Sequence, residues 1–145
     1  MTYGRFCFRR YYMLLDELAP EEKKAFWNIA NVLASVDGRV LEEESVLKQY
    51  NDEMGTGFAF VDPSEIDVRN ELENISSESL RSRRIVYFEL FGVAYADTEL
   101  DVRERKILDD VSSVLDIGDE VRKTLEESVK TVYDTYRKLG DVLNV

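Results

Sequence analysis

Apolar side chains recur every three to four positions along most of the chain, which is the spacing of one face of an α-helix. In the stretch from residue 20 to residue 36 this spacing is kept by Phe26, Ile29, Leu33 and Val36. The segment TGFAFV at residues 56–61 is the one stretch in which an extended backbone is the alternative. The pattern therefore predicts an all-α protein.

Residues that start and end helices divide these stripes into about seven helices. We expect helices near residues 5–18, 20–36, 42–54, 63–75, 79–96, 101–117 and 119–140. Pro20 and Pro63 suit the first turn of a helix, where the missing N–H of proline costs nothing. Gly55, Gly118 and Gly140 are expected to end the helices that precede them. No linker divides the chain, so residues 1–145 are predicted to form one compact domain.

The helix predicted at residues 79–96 carries apolar side chains around most of its circumference, which indicates a buried central helix. Phe88 and Phe91 on this helix are accordingly expected in the core. The pattern of a capping box, Asp followed three residues later by Glu, stands at Asp62-Pro63-Ser64-Glu65 and at Asp101-Val102-Arg103-Glu104. Both sequences are therefore predicted to open helices.

The chain is strongly acidic, with 30 acidic and 19 basic residues and a net charge of −11. Nucleic acids and anionic membranes are bound mainly through Lys and Arg contacts to phosphate, so we expect no nucleic-acid partner. Two arginine clusters are the exceptions: Arg5, Arg9 and Arg10, and Arg81, Arg83 and Arg84. Pairing of these arginines with the many carboxylates is favoured over the stacking of single-stranded nucleic acid.

The chain contains no histidine, which removes the commonest general base, the Ser-His and Cys-His pairs, and the usual zinc ligand. Catalysis would have to use carboxylates, Lys, Tyr or a hard metal ion. No glycine-rich phosphate loop or G-x-S-x-G turn is present. No catalytic residues and no cofactor-binding residues are therefore predicted.

No segment of the sequence has the length and apolar composition of a membrane span. The longest apolar run lies at positions 85–96 and contains Glu89, and it is shorter than the roughly 20 residues that a spanning helix needs. The single cysteine, Cys7, leaves no possibility of an intrachain disulfide. We expect no transmembrane segment and a cytoplasmic location.

A similar acidic turn occurs twice in the chain. Asp37 corresponds to Asp97 and Glu44 to Glu104, and the shared pattern is A-x-x-D-x-x-[VL]-x-x-x-E. The constant offset between the two copies predicts two pseudo-repeated helical hairpins around the central helix. The turns are not EF-hand loops, because neither has Gly at position six or Glu at position twelve.

The acidic turns allow two interpretations. Carboxylates at helix N-termini cap orphan N–H groups and meet the positive end of the helix dipole, at about 0.5–2 kcal/mol each. Alternatively, oxygen ligands from two related turns would together bind Ca²⁺ or Mg²⁺. The candidate metal ligands are Asp37, Glu44, Asp97, Glu99, Asp101 and Glu104.

The segments VLASVDGRVLEEE and GVAYADTELDVRERKILDDVSSVLDIGDE resemble the TerB family, which is named for tellurite resistance. The resemblance rests on an A-D-G-x-[IV]-x-x-x-E turn that occurs twice and on a closing segment like Leu115-Asp116-Ile117-Gly118. It covers residues 20–132, so residues 1–19 would form an additional N-terminal helix. Two residues depart from the family pattern: Thr98 replaces the glycine of the second turn, and Leu41 stands where the other copy has the capping Asp101.

The resemblance implies an all-helical module of a stress-response system, with a peripheral link to a membrane complex, since a similar domain heads a membrane-anchored J-domain co-chaperone. We therefore expect a non-catalytic module that binds a partner protein, with a divalent cation as the candidate ligand of the acidic turns. The alternatives are a carboxylate- or metal-dependent hydrolase and a purely structural assembly subunit.

Overall fold

The computed structural model describes residues 14–36, 40–76, 79–95 and 100–144, without the side chains of residues 40–44 and 76. The described part of the chain is all-helical and forms one compact domain, as the apolar spacing predicts. The α-helices are α1 (Pro20–Ser35), α2 (Val40–Met54), α3 (Val68–Ser76), α4 (Leu80–Ala94), α5 (Val102–Val114) and α6 (Asp119–Leu143). Two 3-10 turns, Leu14–Glu17 and Pro63–Glu65, complete the described elements.

Two helices, α1 and α4, together form the centre of the core. Helix α4 contacts each of the other five α-helices, and its residues Ile85, Val86 and Tyr87 begin a stretch that is buried through Ala94 except at Phe88. Helix α1 is buried to a similar extent, so the prediction of a single central helix describes only half of the centre. Phe91 is 0% exposed, which confirms its core position, whereas Phe88 is only partly buried.

Local capping explains where several helices begin. Pro20 occupies the first position of α1, and the side chain of Ser79 accepts a hydrogen bond from the Ser82 N–H at the start of α4. Before α5, Asp101 and Glu104 form the predicted capping box. These caps satisfy N–H groups that have no partner inside the helix.

Three predicted boundaries differ from the structure: the helix start at Asp62 and the helix ends at Gly118 and Gly140. Helix α5 ends already at Val114, and Gly118 is instead the N-cap residue of α6. Asp62-Pro63-Ser64-Glu65 opens only a 3-10 turn, because Ile66 adopts an extended conformation (φ −103°, ψ 123°) before α3 begins at Val68. Gly140 does not end the last helix. It is buried, α6 continues to Leu143, and the Gly140 carbonyl accepts the closing hydrogen bond from the Asn144 N–H at 2.9 Å.

The predicted first helix lies mostly outside the described residues. Its last part, Leu14–Glu17, is a single 3-10 turn, so no α-helix reaches Leu18.

The segment at residues 56–61 forms a strap across α1 and α2 without being a strand. Its backbone groups pair with side-chain amides: Asn51 bonds both the N–H and the carbonyl of Phe58, at 3.0 and 2.9 Å. The Trp27 indole N–H donates to the Ala59 carbonyl at 2.9 Å, and the amide of Asn31 accepts from the Val61 N–H at 3.4 Å. Partly buried backbone groups of the strap are thereby satisfied without a neighbouring strand.

The repeat seen in the sequence is visible in the helix boundaries and in the buried positions of α1 and α4. The two helices begin at equivalent positions of the repeat, Pro20 and Leu80. Positions 25, 26, 27, 29, 30, 31, 33 and 34 of α1 are all buried, and so are their counterparts in α4, positions 85, 86, 87, 89, 90, 91, 93 and 94. Helices α1 and α4 therefore bury equivalent positions of the repeat in the core.

In α2 and α5 the equivalence is shifted by one position. Buried Leu47 and Tyr50 of α2 correspond, after this shift, to buried Leu108 and Val111 of α5. Both helices also end at a residue with positive φ, Gly55 (69°) and Asp116 (55°). The predicted pairing at a constant offset is therefore wrong for these positions of the second helices, which correspond at an offset larger by one.

The two ends are stopped by the same hydrogen-bond pattern. After α2, the N–H of Thr56 bonds the Asn51 carbonyl at 2.9 Å, and after α5 the N–H of Ile117 bonds the Ser112 carbonyl at 2.9 Å. Bonds of this kind, around a residue in the left-handed region, form a Schellman motif. The segment Leu115-Asp116-Ile117 thus forms the C-terminal stop of α5.

Candidate functional site

The second acidic turn ends in a capping box that uses both of its described carboxylates. Asp101 Oδ1 accepts from the Arg103 backbone N–H at 2.7 Å, and Glu104 Oε1 accepts from the Asp101 N–H at 3.0 Å. The Arg103 guanidinium adds two bonds of 3.0 Å to Asp101. Glu104 is 0% exposed. The geometry of these two residues is the one that capping predicts.

The other candidate metal ligands lie largely outside the described part of the chain. Asp37, Asp97 and Glu99 are not among the described residues, and Glu44 lies on α2 with its side chain outside the description. The structure therefore brings only Asp101 and Glu104 together. Within residues 14–36, 40–76, 79–95 and 100–144, no group of three or more Asp, Glu or Cys side chains is placed to bind a metal ion.

Buried carboxylates occur at places that the sequence analysis did not identify. Glu22, Glu53 and Glu89 are between 0 and 3% exposed. Glu22 Oε1 accepts from the Ala19 N–H at 2.8 Å, so it has the same role at α1 that Glu104 has at α5. The signal for Glu22 was its position three residues after the residue that precedes the helix. Glu89 had no comparable signal beyond being the one charge in an apolar run.

A polar cluster joins α4, α5 and α6. The Tyr87 hydroxyl donates to Glu126 Oε2, and the Arg122 Nε–H donates to the Tyr87 hydroxyl at 2.7 Å and to Glu126 at 2.9 Å. Arg105 Nη1 adds a bond of 3.2 Å to Glu126. Every oxygen of the Glu126 carboxylate therefore has a charged or hydroxyl donor.

The remaining donors of Arg122 are directed to α5. One terminal nitrogen bonds Asp109 Oδ1 at 2.6 Å and the other bonds the Ser112 hydroxyl at 3.0 Å. Three helices thus converge on one guanidinium, which satisfies the rule that buried polar groups are hydrogen-bonded. The sequence offered a single signal for this cluster, the spacing of one helical turn between Arg122 and Glu126.

The cluster shifts the pKa values of Tyr87 and Glu126 in directions that keep the phenol neutral and the carboxylate ionised. Burial, followed by the neighbouring Glu126 carboxylate, raises the pKa of the Tyr87 hydroxyl well above its usual value. Burial alone would raise the pKa of Glu126, but hydrogen bonds from Tyr87, Arg122 and Arg105 outweigh it, so the pKa lies below its usual value. The phenol stays neutral and the carboxylate stays ionised, which suits a structural bridge between helices.

An open groove of about 540 Å³ runs along the first half of α4. Its lining residues are Leu14, Leu80, Arg81, Arg84, Ile85, Phe88 and Leu125. Arg81 holds Glu17 of the first 3-10 turn through two bonds, of 2.7 and 3.0 Å. This pairing agrees with the expectation that the arginine cluster is satisfied within the molecule, whereas Arg84 is exposed and has no ion pair among the described residues.

A smaller cavity of about 170 Å³ lies between the strap and the C-terminal half of α1. Ala34, Leu47 and Val61 line it, and Phe60 stands at its edge with 55% of its surface exposed. The Phe60 ring stacks on Trp27 with a centroid separation of 5.8 Å. The cavity has room for one apolar side chain or a fragment of similar size.

The comparisons with known proteins give no relative. No protein-family model, no curated protein and no solved structure matches this chain significantly. Among the described residues, no helix is both long and apolar enough to cross a membrane.

Proposed function

We propose that this chain is a non-catalytic, TerB-like helical module that acts by binding a partner protein. The observation that carries the proposal is the repeated helix pair. Helices α1 and α4 are buried at equivalent positions of the repeat, and α2 and α5 end in the same Schellman motif. A duplicated turn between such helices is the pattern on which the TerB-like resemblance rests.

The polar cluster supports a binding module over a catalytic one. Arg122 and Glu126 are hydrogen-bonded to one another and to Tyr87. The remaining bonds of Arg122 go to Asp109 and Ser112. A catalytic pair needs a group left available to the substrate. The arrangement supports the role of a rigid brace, which presents the surfaces of α4 and α6 in a fixed relation.

Exposed apolar side chains mark the candidate binding surfaces for a partner protein. Leu80 is 47% exposed beside the groove of α4, and Phe60 is 55% exposed at the edge of the small cavity. Apolar surface rimmed by polar residues is typical of binding sites for proteins. Lys123 on α6 is exposed as well but belongs to a charged surface, so it serves as a matched control.

The proposal is tested by cross-linking followed by reconstitution. A photoreactive benzoylphenylalanine is placed at Leu80, Phe60 or Lys123, and the proteins cross-linked in cells of the native host are identified by mass spectrometry. The identified protein is then purified and titrated against the unmodified chain by calorimetry. We expect saturable one-to-one binding of a protein captured at Leu80 or Phe60 but not at Lys123. Equal capture at all three positions, or no binding by the purified protein, would refute the proposal.

A divalent cation at the acidic turns is not needed for this function. The described carboxylates Asp101 and Glu104 already accept capping hydrogen bonds. The hypothesis of a cation site therefore depends on Asp37, Asp97 and Glu99, and a titration described in the Discussion decides it.

A further inference from the structure

We propose that the groove along α4 is the binding surface for an amphipathic helix of the partner protein, and that this helix carries an acidic side chain opposite Arg84. The inference rests on the proposed function, since it names the surface and the chemistry of the partner. It is carried by the shape of the groove and by the charges on its lining.

The groove has the dimensions of a helix-binding surface. Its α4 residues Leu80, Arg84 and Phe88 are spaced by one helical turn, so the groove extends about 12 Å along the helix axis. Leu14 of the first 3-10 turn and Leu125 of α6 also line the groove. A helix placed along the groove would insert apolar side chains from successive turns, which is how amphipathic helices occupy such grooves.

The charges of the groove oppose those of the protein as a whole. The net charge is −11, yet among the described residues both charged side chains that line the groove are arginines. Arg81 binds the Glu17 carboxylate in a bidentate manner, at 2.7 and 3.0 Å. Arg84 lies nearly one turn further along α4 and is exposed, without an ion pair among the described residues. Glu17 thus shows how a carboxylate is bound at this edge, and Arg84 offers a second guanidinium of the same kind.

The same charges argue against two other occupants. A basic helix would be repelled by Arg84, whereas the charge of Arg81 is already balanced by Glu17. The start of the chain, positions 1–13, contains Arg5, Arg9 and Arg10 and no acidic residue, so its charge does not complement the groove. An acidic amphipathic helix matches both the apolar walls and the arginines.

Designed peptides test the inference directly. Four labelled helical peptides of about 14 residues, stapled because isolated helices of this length are marginal, are titrated against the full chain by fluorescence anisotropy. Three share a leucine face flanked by Glu, Gln or Lys, and the fourth has the Glu flanks with alanines on the apolar face. We expect the Glu peptide to bind about three- to fivefold more tightly than the Gln peptide, the size of an exposed ion pair. The Lys and alanine peptides should bind most weakly.

Two variants and a control assign the effect to the groove. Arg84→Gln should remove the difference between the Glu and Gln peptides, while Lys123→Gln, which makes the same charge change on α6, should preserve it. Leu80→Gln should weaken every leucine-faced peptide. All three sites are exposed, so circular dichroism melting curves should match that of the parent.

Several outcomes would overturn the inference. They are no binding of the Glu peptide at millimolar concentration, equal affinities for the Glu and Gln peptides, and an unchanged preference in Arg84→Gln. A concentration-dependent dimer that Arg84→Gln dissociates would assign the groove to a second copy of the chain instead. If a partner is captured at Leu80 but the peptides show no acidic preference, the binding function stands and the acidic helix falls. If the Glu peptide binds as expected but no partner is captured, the preference of the groove for an acidic helix stands and the proposed partner binding at these positions falls.

Discussion

Replacing Arg122 by methionine should destabilise the protein, because this residue joins three helices through one guanidinium. Arg122→Met keeps a long, flexible side chain in the same space but removes the bonds to Tyr87, Glu126 and Asp109. The change leaves the Glu126 carboxylate with only Tyr87 and Arg105 as donors. The experiment therefore measures how much the cluster contributes to the docking of α6.

The magnitude follows from how deeply the pair is buried. Removing one partner from a fully buried ion pair costs about 3–5 kcal/mol. The side chains of Arg122 and Glu126 are still 18% and 12% exposed, and Glu126 keeps the Arg105 guanidinium at 3.2 Å. We therefore expect a smaller loss, about 2 kcal/mol in the free energy of unfolding, which corresponds to a melting temperature lower by about 4–8 °C for a chain of this size.

A matched control is available on the same helix. Arg137 pairs with Asp134 at 3.0 Å, but both side chains are 47% exposed. Arg137→Met should change the free energy of unfolding by less than about 0.5 kcal/mol, because exposed pairs contribute little. Urea denaturation of both variants at pH 7 provides the comparison. If Arg122→Met melts within one or two degrees of the parent, or no lower than Arg137→Met, the cluster does not hold α6 in place.

The pH dependence gives a second readout from the Glu126 carboxyl group. Its pKa is lowered in the folded state, so its contribution to stability is present above the unfolded pKa of about 4.3 and is lost as the pH falls through the folded pKa. The parent should therefore exceed Glu126→Gln in stability at pH 7, and this difference should shrink in acid. A difference that stays constant down to the lowest pH at which the protein remains folded would contradict the assignment.

Three further predictions concern the core and the acidic turns. Phe91→Ala should lower the free energy of unfolding by about 3–5 kcal/mol, and Phe88→Ala by clearly less, because only Phe91 is fully buried; equal losses in urea denaturation would contradict the described packing. Asp101→Ala should cost about 1 kcal/mol and Asp101→Asn only a few tenths, since Asn caps nearly as well as Asp. Calorimetry and melting curves with Ca²⁺ decide between capping and a cation site: capping predicts no heat of binding and no change in melting temperature. A cation site predicts binding weaker than about 10⁻⁵ M and a higher melting temperature, both reduced in Asp97→Asn and Asp37→Asn.

The sequence by itself determined the class of the fold and most helix boundaries. The apolar spacing identified the α-helices, and Pro20, Ser79 and Asp101 located three helix starts to within one or two residues. These signals are local: caps and apolar stripes act within a few residues of chain, so they can be read without knowing the partner of each helix. The repeated acidic turn was also visible, since it consists of matching residues in sequence.

Tertiary structure alone decided which residues act together. The bridge from Tyr87 to Arg122 and Glu126 joins positions 35 and 39 residues apart, and no pattern along the chain relates them. The shift of the repeat by one position became visible only in the buried positions of α2 and α5, because such a shift changes which face of a helix is buried without changing its composition.

The groove of α4 likewise depends on tertiary structure, since Leu14 of the first 3-10 turn and Leu125 of α6 line it together with residues of α4. In the sequence, Arg81 and Arg84 are two members of one basic cluster. In the folded chain Arg81 is paired with Glu17, 64 residues away, and Arg84 is not paired within the described residues. Pairing at such sequence separation depends on how the helices pack, so the packing determines which of the two arginines has an ion pair among the described residues.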